Sequence, residues 1–432
     1  MVVQAGLTLI IVFAILLAVG IPIAVSVGVA SLVTVLLILP FDIAVFTSAQ
    51  SMVASLDSFS LVAVPFFILS GIIMNSGGIA IKLVDFAKLL GGRIPGSLAH
   101  TNIIGNTLFG SISSSAIAAS TAIGGVMVPL QQKEGYDRKF AAAVNIASAP
   151  VGMVTPPSTG FIIFSLISGG TSIAALFISG AVVGILWALT IMIVAFIIAK
   201  KNNYPIAPKV KDQNVKKIVI DAIPSLLLIV IVIGGILLGI FTAIEASAIC
   251  VAYSLFLALI YYRTLKVKQL PKVIIQAVEM TGVIMLLIAA SSLMSFAMAF
   301  TGIPSALSNF VLGLSDNPII ILLIINLLLL LIGTVMDVAP AILIFTPIFM
   351  PIALDLGVDP VHFGMFFILN LCIGTITPPV GTGLFVGASI GKVKIEQLIK
   401  PLMPFYLAIF ILLMVITYVP QISLFLPNLL GL

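Results

Sequence analysis

Two short phrases constrain this chain more than any other part of it. Gly152-Met-Val-Thr155-Pro156-Pro157 and Gly374-Thr-Ile-Thr377-Pro378-Pro379 each interrupt a long apolar run. Proline inside a helix removes a backbone donor and clashes with the preceding turn, and glycine weakens the helix further. The runs are long enough to cross a bilayer, which takes about 20 residues. A break at membrane depth frees backbone groups that lipid cannot satisfy. Such a break is tolerated only where it is buried in protein or lines a cavity.

The remainder of the chain supplies the membrane segments. Hydrophobic residues make up 61% of it and charged residues 8%, which excludes an ordinary soluble domain. The apolar run 6–39 divides at Gly20-Ile-Pro22 into two short spans, and 60–75 is a third. An amphipathic stretch, 79–95, carries Lys82, Lys88 and Arg93. Residues 97–131 and the pair 318–332 and 338–351 read as re-entrant hairpins. Each hairpin precedes a broken helix, 138–169 and 361–391. Residues 172–199, 218–240, 242–262, 273–300 and 401–424 complete the spans.

Charge sorts the loops. With the lysine-rich loop 200–217 in the cytoplasm, counting crossings places 79–95, 132–139, 263–272 and 392–400 there too. Those segments hold every Lys and Arg of the chain. Asp42, Asp57, Asp316, Asp355 and Asp359 fall on the opposite side, with both termini, as the positive-inside rule predicts. The net charge of +5 is therefore read as loop bias and not as a nucleic-acid surface. No basic residue precedes the first apolar run, which predicts no cleaved signal peptide.

The phrases belong to a repeat. When the chain is slid along itself so that Pro129 meets Pro351, Gly135 meets Gly357, Asp137 meets Asp359, and the two Gly-x-x-Thr-Pro-Pro phrases coincide. Shared Gly and Pro at fixed spacing carry more weight than shared apolar residues. An odd number of crossings per copy inverts the second copy. The expected fold is an all-α polytopic membrane protein with two inverted-topology repeats. The first is 1–200 and the second 218–432, joined by a cytoplasmic linker, 201–217. Paired broken helices in inverted repeats are a transporter architecture.

The freed carbonyls, with Ser and Thr hydroxyls, suit a hard cation such as Na⁺. The helix ends at each break suit ions and an anionic substrate. The serine-rich 110–121 reads as a hairpin tip facing the first break, although small residues also serve close helix packing. Asp337 is an ionisable group deep in an apolar segment. It reads as part of a cation or substrate site, or as a cap on the hairpin's second arm. Glu279 lies near a cytoplasmic end, and Glu245 is open to an ion pair. Trp187 and Tyr261–Tyr262 are expected as interfacial anchors, and Cys250 and Cys372 as packing residues. No Walker motif is present, so ATP does not drive this chain directly. No histidine is placed by a motif beside Ser113–Ser115, against an intramembrane serine protease. A channel would need a continuous polar path, whereas paired hairpins read as gates.

The phrases GIPIAVSVG at 20–28, PFFILSG at 65–71, the serine-rich tip, GMVTPP, MDVAPA and GTITPPVG together resemble one family along essentially the whole chain. It is the large membrane subunit of the tripartite ATP-independent periplasmic (TRAP) transporters, within the ion-transporter superfamily. The resemblance implies a secondary transporter of the bacterial inner membrane, multi-pass and not an enzyme. It implies sodium-coupled uptake of an organic acid, such as sialic acid or a C4-dicarboxylate, by an elevator mechanism. Hairpins and broken helices would form the transport domain and the other helices the scaffold. Expected partners are a small four-helix membrane subunit and a periplasmic substrate-binding protein, besides the lipid bilayer. No extra segment for the small subunit is seen, which predicts a separate chain. The resemblance implies Na⁺ as the coupling ion, with no organic cofactor.

The resemblance also implies site residues. A first sodium site would use Ser113, Ser114, Ser115, Gly152, Val154, Thr155 and Pro157. A second would use Gly333, Thr334, Asp337, Gly374, Thr377 and Pro379. Substrate would meet Ser114, Ser115, Thr155, Ser158, Asp337, Thr377, Gly381 and Thr382. The second tip departs from the first: Met336 and Val338 stand in place of serines, so the two sites are expected to differ in affinity. No Lys or Arg falls at membrane depth to pair with a carboxylate. The alternative is a stand-alone sodium-coupled anion or dicarboxylate symporter of the same superfamily.

Overall fold

The computed structural model describes residues 2–432 except 78, 93, 207–211 and 316. Arg93, Lys209, Lys211 and Asp316 of the charge pattern therefore lie outside the described residues. The described chain is helical, without strands. Its first helices are α1 (Val2–Ala18), α2 (Ile23–Leu36), α3 (Phe41–Leu56), α4 (Ala63–Ser76) and α5 (Ile79–Leu90). A hairpin follows, α6 (Ser97–Ser113) and α7 (Ala116–Lys133), and then an interrupted helix, α8 (Arg138–Ser148), α9 (Val151–Val154) and α10 (Thr159–Ile167). After α11 (Ile173–Lys201) come α12 (Asp212–Leu237), α13 (Ala243–Leu255), α14 (Leu270–Thr301) and α15 (Ile303–Leu314). The second hairpin is α16 (Pro318–Val335) and α17 (Val338–Asp355). The second interrupted helix is α18 (Pro360–Gly374) and α19 (Thr382–Gly391), and α20 (Ile395–Tyr418) and α21 (Gln421–Leu429) end the chain.

Among the described residues, seven helices are long and apolar enough to cross a membrane. There are eight if α8–α9 and α10, bent by 48° at the break, count as one span. On α11 the exposed residues Ile185, Leu189, Ile193 and Ile197 recur every fourth position. That is one continuous helix face, and in a membrane it is the surface that lipid covers.

The helix ends follow from local chemistry. Gly135 and Gly357, at φ of 88° and 73°, stop α7 and α17 in the left-handed conformation that glycine adopts without a Cβ clash. Asp137 then caps α8 by accepting from the Lys139 amide, and Asp359 caps α18 by accepting from the Val361 amide at 2.8 Å. The same devices recur at matching places in the chain. The displacement that carries Gly135 onto Gly357 also carries both ends of α7 onto those of α17, and the start of α11 onto that of α20.

Packing sorts the helices into two groups. In one, α2, α3 and α4 pack on α14, α4 also packs on α13, and α1 packs on α2. In the other, the hairpins and interrupted helices pack with α11, α20 and α21. Within the second group the two halves interleave, α19 lying against α7 and α8, and α10 against α17. Helix α5 bridges α6 and α12, and α15 contacts α17 and α1.

Some expectations change. Helix α3 occupies a stretch assigned to no span, and α15 was not anticipated. The last expected span ends at Tyr418, and α21 is a separate short helix. Trp187 is no interfacial anchor, since its side chain is fully buried. Among the described residues Glu245 pairs with no basic group; it closes a capping box, its carboxylate accepting from the Thr242 amide at 2.8 Å.

Candidate ion and substrate site

Both hairpin tips open on one cavity of about 250 Å³. Ser113, Ser114 and Ser115 come from the first tip, and Asp337, Val338 and Ala339 from the second. Ser158, Thr159 and Gly160 come from the start of α10, with Thr375 and Thr382 from the second break. The opposite wall belongs to the other group of helices: Phe67, Ile68, Gly71, Ile72 and Asn75 of α4, and Met280 and Ile284 of α14. Gly71 matters there, because a Cβ on it would already touch the Ser113 carbonyl at 3.4 Å.

The first tip is a tight reversal. Ser114 adopts φ 48°, and its hydroxyl donates to the Pro157 carbonyl at 2.9 Å, tying the tip to the break. Ser115 caps α7 by accepting from the Ala118 amide at 3.2 Å. The Ser113 hydroxyl is buried and has no hydrogen-bond partner among the described residues. Ser158 donates to the Met153 carbonyl at 2.5 Å, so α10 begins without a side-chain cap.

Glycines bring hairpin and break together. A Cβ on Gly152 would overlap the backbone of Gly110, and one on Gly374 would overlap the backbone of Gly333. Behind the first crossing, the Thr155 hydroxyl donates to the Val151 carbonyl at 2.9 Å and fits against Gly184 of α11. The Val154 carbonyl faces Gly180. Behind the second, Thr377 donates to the Ile373 carbonyl at 2.8 Å. The Thr334 hydroxyl donates to the Leu331 carbonyl, and its own carbonyl accepts from the Gly381 amide at 2.8 Å. Both Pro–Pro bonds, 156–157 and 378–379, are cis; Pro157 is buried and Pro379 exposed.

Asp337 takes the capping role that the sequence left open, and it also lines the cavity. One carboxylate oxygen accepts from the Val338 amide at 2.9 Å and caps α17, while the side chain stays exposed to the cavity. It is the single ionisable side chain among the lining residues. Four helices, α7, α10, α17 and α19, begin at this cavity, and helix N-termini carry partial positive charge.

Of the residues expected at the site, the cavity gathers Ser113, Ser114, Ser115, Ser158, Asp337 and Thr382. Gly152, Val154, Thr155, Pro157, Gly333, Thr334, Gly374, Thr377, Pro379 and Gly381 build the tip and break behind its walls. Thr375, Asn75 and the apolar wall from α4 and α14 were missed. Thr375 sits inside the quoted GTITPP phrase, so its signal was present. Among the described residues no cluster of three His, Cys, Asp or Glu could hold a metal. The donors here are hydroxyls, carbonyls and one carboxylate, the oxygen set that hard cations take.

Apolar helices of membrane length, arranged around a cavity where two hairpin tips meet two interrupted helices, define a multi-pass membrane protein with a solute-sized site. The comparisons with known proteins agree. The family model described as "Tripartite ATP-independent periplasmic transporter, DctM component" matches residues 10–422. An uncharacterized protein of Salmonella typhimurium, YgiK, is 52% identical over 96% of each chain. The sialic acid TRAP transporter large permease protein SiaM of Vibrio cholerae is 38% identical, over 88% of this chain and 89% of that one. The crystal structure of the YdaH transporter of Alcanivorax borkumensis superposes with a TM-score of 0.64 over 90% of each chain, at 12% identity, a likeness of fold alone. The chain belongs to the DctM family of TRAP transporter large permeases; it is a transporter component and not an enzyme.

Proposed function

We propose that this chain is the permease through which a small organic anion enters a bacterial cell across the inner membrane, driven by sodium. The observation that carries the reading is the cavity itself. It joins both tips to both breaks, presents hydroxyls and one carboxylate, holds no basic side chain, and collects four helix N-termini. An anion in such a site is held by amides and helix ends, and sodium at each tip supplies the positive charge that side chains do not. The first sodium site comprises Ser113–Ser115 with Gly152, Val154, Thr155 and Pro157. The second comprises Gly333, Thr334 and Asp337 with Gly374, Thr377 and Pro379. The matching bounds of α7 with α17 support two inverted repeats, with both termini periplasmic.

Movement follows from the packing. The cavity lies between the two helix groups, so sliding one past the other carries it across the membrane as an elevator. Because α11, α20 and α21 pack on the hairpins, we assign them to the moving group and not to the scaffold. The scaffold is then α1–α4 with α12–α14, a narrow support that a small membrane subunit would widen. A periplasmic binding protein would deliver the substrate, a reading that the family's description as tripartite and periplasmic supports. The V. cholerae relative is named for sialic acid, and the cargo here is of the same broad class, an organic acid.

Reconstituted vesicles test this. Uptake is expected to need external Na⁺, the small subunit and a loaded binding protein. Ser114→Ala, which removes the tie to Pro157, should raise the sodium concentration for half-maximal uptake about fivefold, as loss of one hydrogen bond implies. Uptake of free substrate by this chain alone would favour the stand-alone symporter, and sodium-independent uptake would overturn both. Topology is tested separately: cysteine at Lys268 should be labelled only from the cytoplasm, and cysteine at Asp57 only from the periplasm. Labelling of both from one side would end the proposed threading.

A further inference from the structure

Behind each break lies a buried polar contact that neither tip nor cavity uses. In the first half Asn106 of α6 donates to the Asn145 side-chain oxygen at 3.0 Å and to the Ser148 hydroxyl at 2.8 Å, both on α8. Asn145 donates in turn to the Ser120 hydroxyl of α7 at 2.9 Å. In the second half Asn370 of α18 donates to the Asn326 side-chain oxygen of α16 at 2.5 Å, and Asn326 donates to Thr417 of α20 at 3.1 Å. All four asparagines are fully buried, at 0% exposure. Burying amides in a membrane protein is costly unless they bond to one another, so each pair holds its helices in one arrangement.

The two bridges are not copies of one another. Under the displacement that aligns the repeats, Asn106 falls on Leu328 and Asn145 on Phe367. The same link, from the hairpin's first arm to the first part of the interrupted helix, is made by different positions in each half. Its place relative to the glycine crossing is nevertheless shared. Asn106 precedes Gly110 by four residues and Asn145 precedes Gly152 by seven, while Asn370 precedes Gly374 by four and Asn326 precedes Gly333 by seven. Each bridge thus sits one to two helical turns, about 6–10 Å, from the point where the two backbones touch.

A glycine crossing alone is a pivot, because it lets two helices meet without fixing the angle between them. A hydrogen-bonded strut one to two turns away fixes that angle. Ser114 lies four residues beyond Gly110 on the other side of the pivot. A tilt of about 10° there would shift the tip by about 1 Å, more than a preorganised ligand set tolerates. We propose that Asn106–Asn145 and Asn326–Asn370 are positioning pairs that hold each tip in register with its break and thereby set sodium affinity. The proposal rests on the sodium reading above.

The test replaces both members of a pair, so that no amide is left unpartnered: Asn106→Leu with Asn145→Leu, and separately Asn326→Leu with Asn370→Leu. Two readouts are taken on the full chain: sodium dependence of uptake in vesicles, and the sodium-induced rise in thermal midpoint of purified protein. Each double variant should raise the sodium concentration for half-maximal uptake about tenfold and reduce the sodium-induced stabilisation, with the maximal rate at saturating sodium changed less than about twofold. A merely structural pair would lower the sodium-free midpoint and leave the sodium dependence alone. If a double variant fails to fold, Ser148→Ala removes a single acceptor of Asn106 and should still shift the sodium dependence about threefold. A sodium-dependent parent whose variants keep its half-saturation within about twofold would overturn this inference alone. A parent without sodium dependence would overturn the sodium reading, and this inference with it.

Discussion

Alanine at Gly152 or at Gly374 should abolish uptake while leaving the chain in the membrane. The added Cβ at either position has no space, because the backbone of Gly110 or Gly333 already occupies it. Backbone cannot swing aside as a side-chain end can, so hairpin and break must separate. Overpacking a well-packed interior costs about 1–3 kcal/mol or more, and contact with main chain belongs at the upper end. Separation also parts the Ser114 hydroxyl from the Pro157 carbonyl and so opens the tip. Initial uptake is expected to fall on the order of 100-fold at matched protein amount. Gly125→Ala is the control. Gly125 lies on α7 with nothing near its Cβ position, and alanine there should be silent or stabilise the helix by about 0.5–1 kcal/mol. Wild-type uptake by Gly152→Ala or Gly374→Ala would show that the crossings are not required.

Asp337 permits a sharper separation of roles. Asn is as good a helix N-cap as Asp and nearly the same size, so Asp337→Asn keeps the bond to the Val338 amide and removes only the charge. Asp337→Ala removes both. If the carboxylate serves a cation, both variants should lose sodium-dependent uptake on the order of 100-fold, since bonds to a charged group are worth about 1.5–3 kcal/mol. Only the alanine variant should also lower stability, by about 1 kcal/mol for the lost cap. Thermal unfolding with and without sodium, beside uptake, resolves the two effects. Parental uptake by Asp337→Asn would reduce Asp337 to a cap.

The long apolar segments, both hairpins and both breaks were legible because each has a one-dimensional signature: hydrophobic length, Gly and Pro spacing, and charge in the loops. The first hairpin, read as 97–131, is observed as α6 and α7, with its turn at Ser114–Ser115 where the serines cluster. Helix α3 was missed because Asp42, Thr47, Ser48, Gln50 and Ser51 dilute its hydropathy below that of a span. Its apolar residues pack on α14, far along the chain, and no local window reports that. Helix α15 was missed for a related reason: at 12 residues it is too short for a crossing. The site divides in the same way. Ser113–Ser115 and Asp337 stand out as polar residues in apolar surroundings, whereas Phe67, Met280 and Ile284 are apolar residues among many. The asparagine pairs lie between these cases. Asn326 and Asn370 are visible as lone amides in apolar runs, but the partner of each Asn is chosen by tertiary packing.

The interleaving of the halves has a consequence for how the protein is made. Helix α19 is seated on α7 and α8, with Gly387 making room for Ile146 and Gly391 for Ala142. Arg138, at the start of α8, donates to the Gly391 carbonyl at 2.6 Å. Synthesis runs from the N-terminus, so α8 leaves the ribosome long before α19 exists. Throughout that interval the growing chain carries a finished hairpin with one side uncovered. That vacant seat has to be shielded by lipid or by the insertion machinery until almost the last part of the polypeptide arrives. A nascent chain truncated before α19 keeps that side of the first half uncovered.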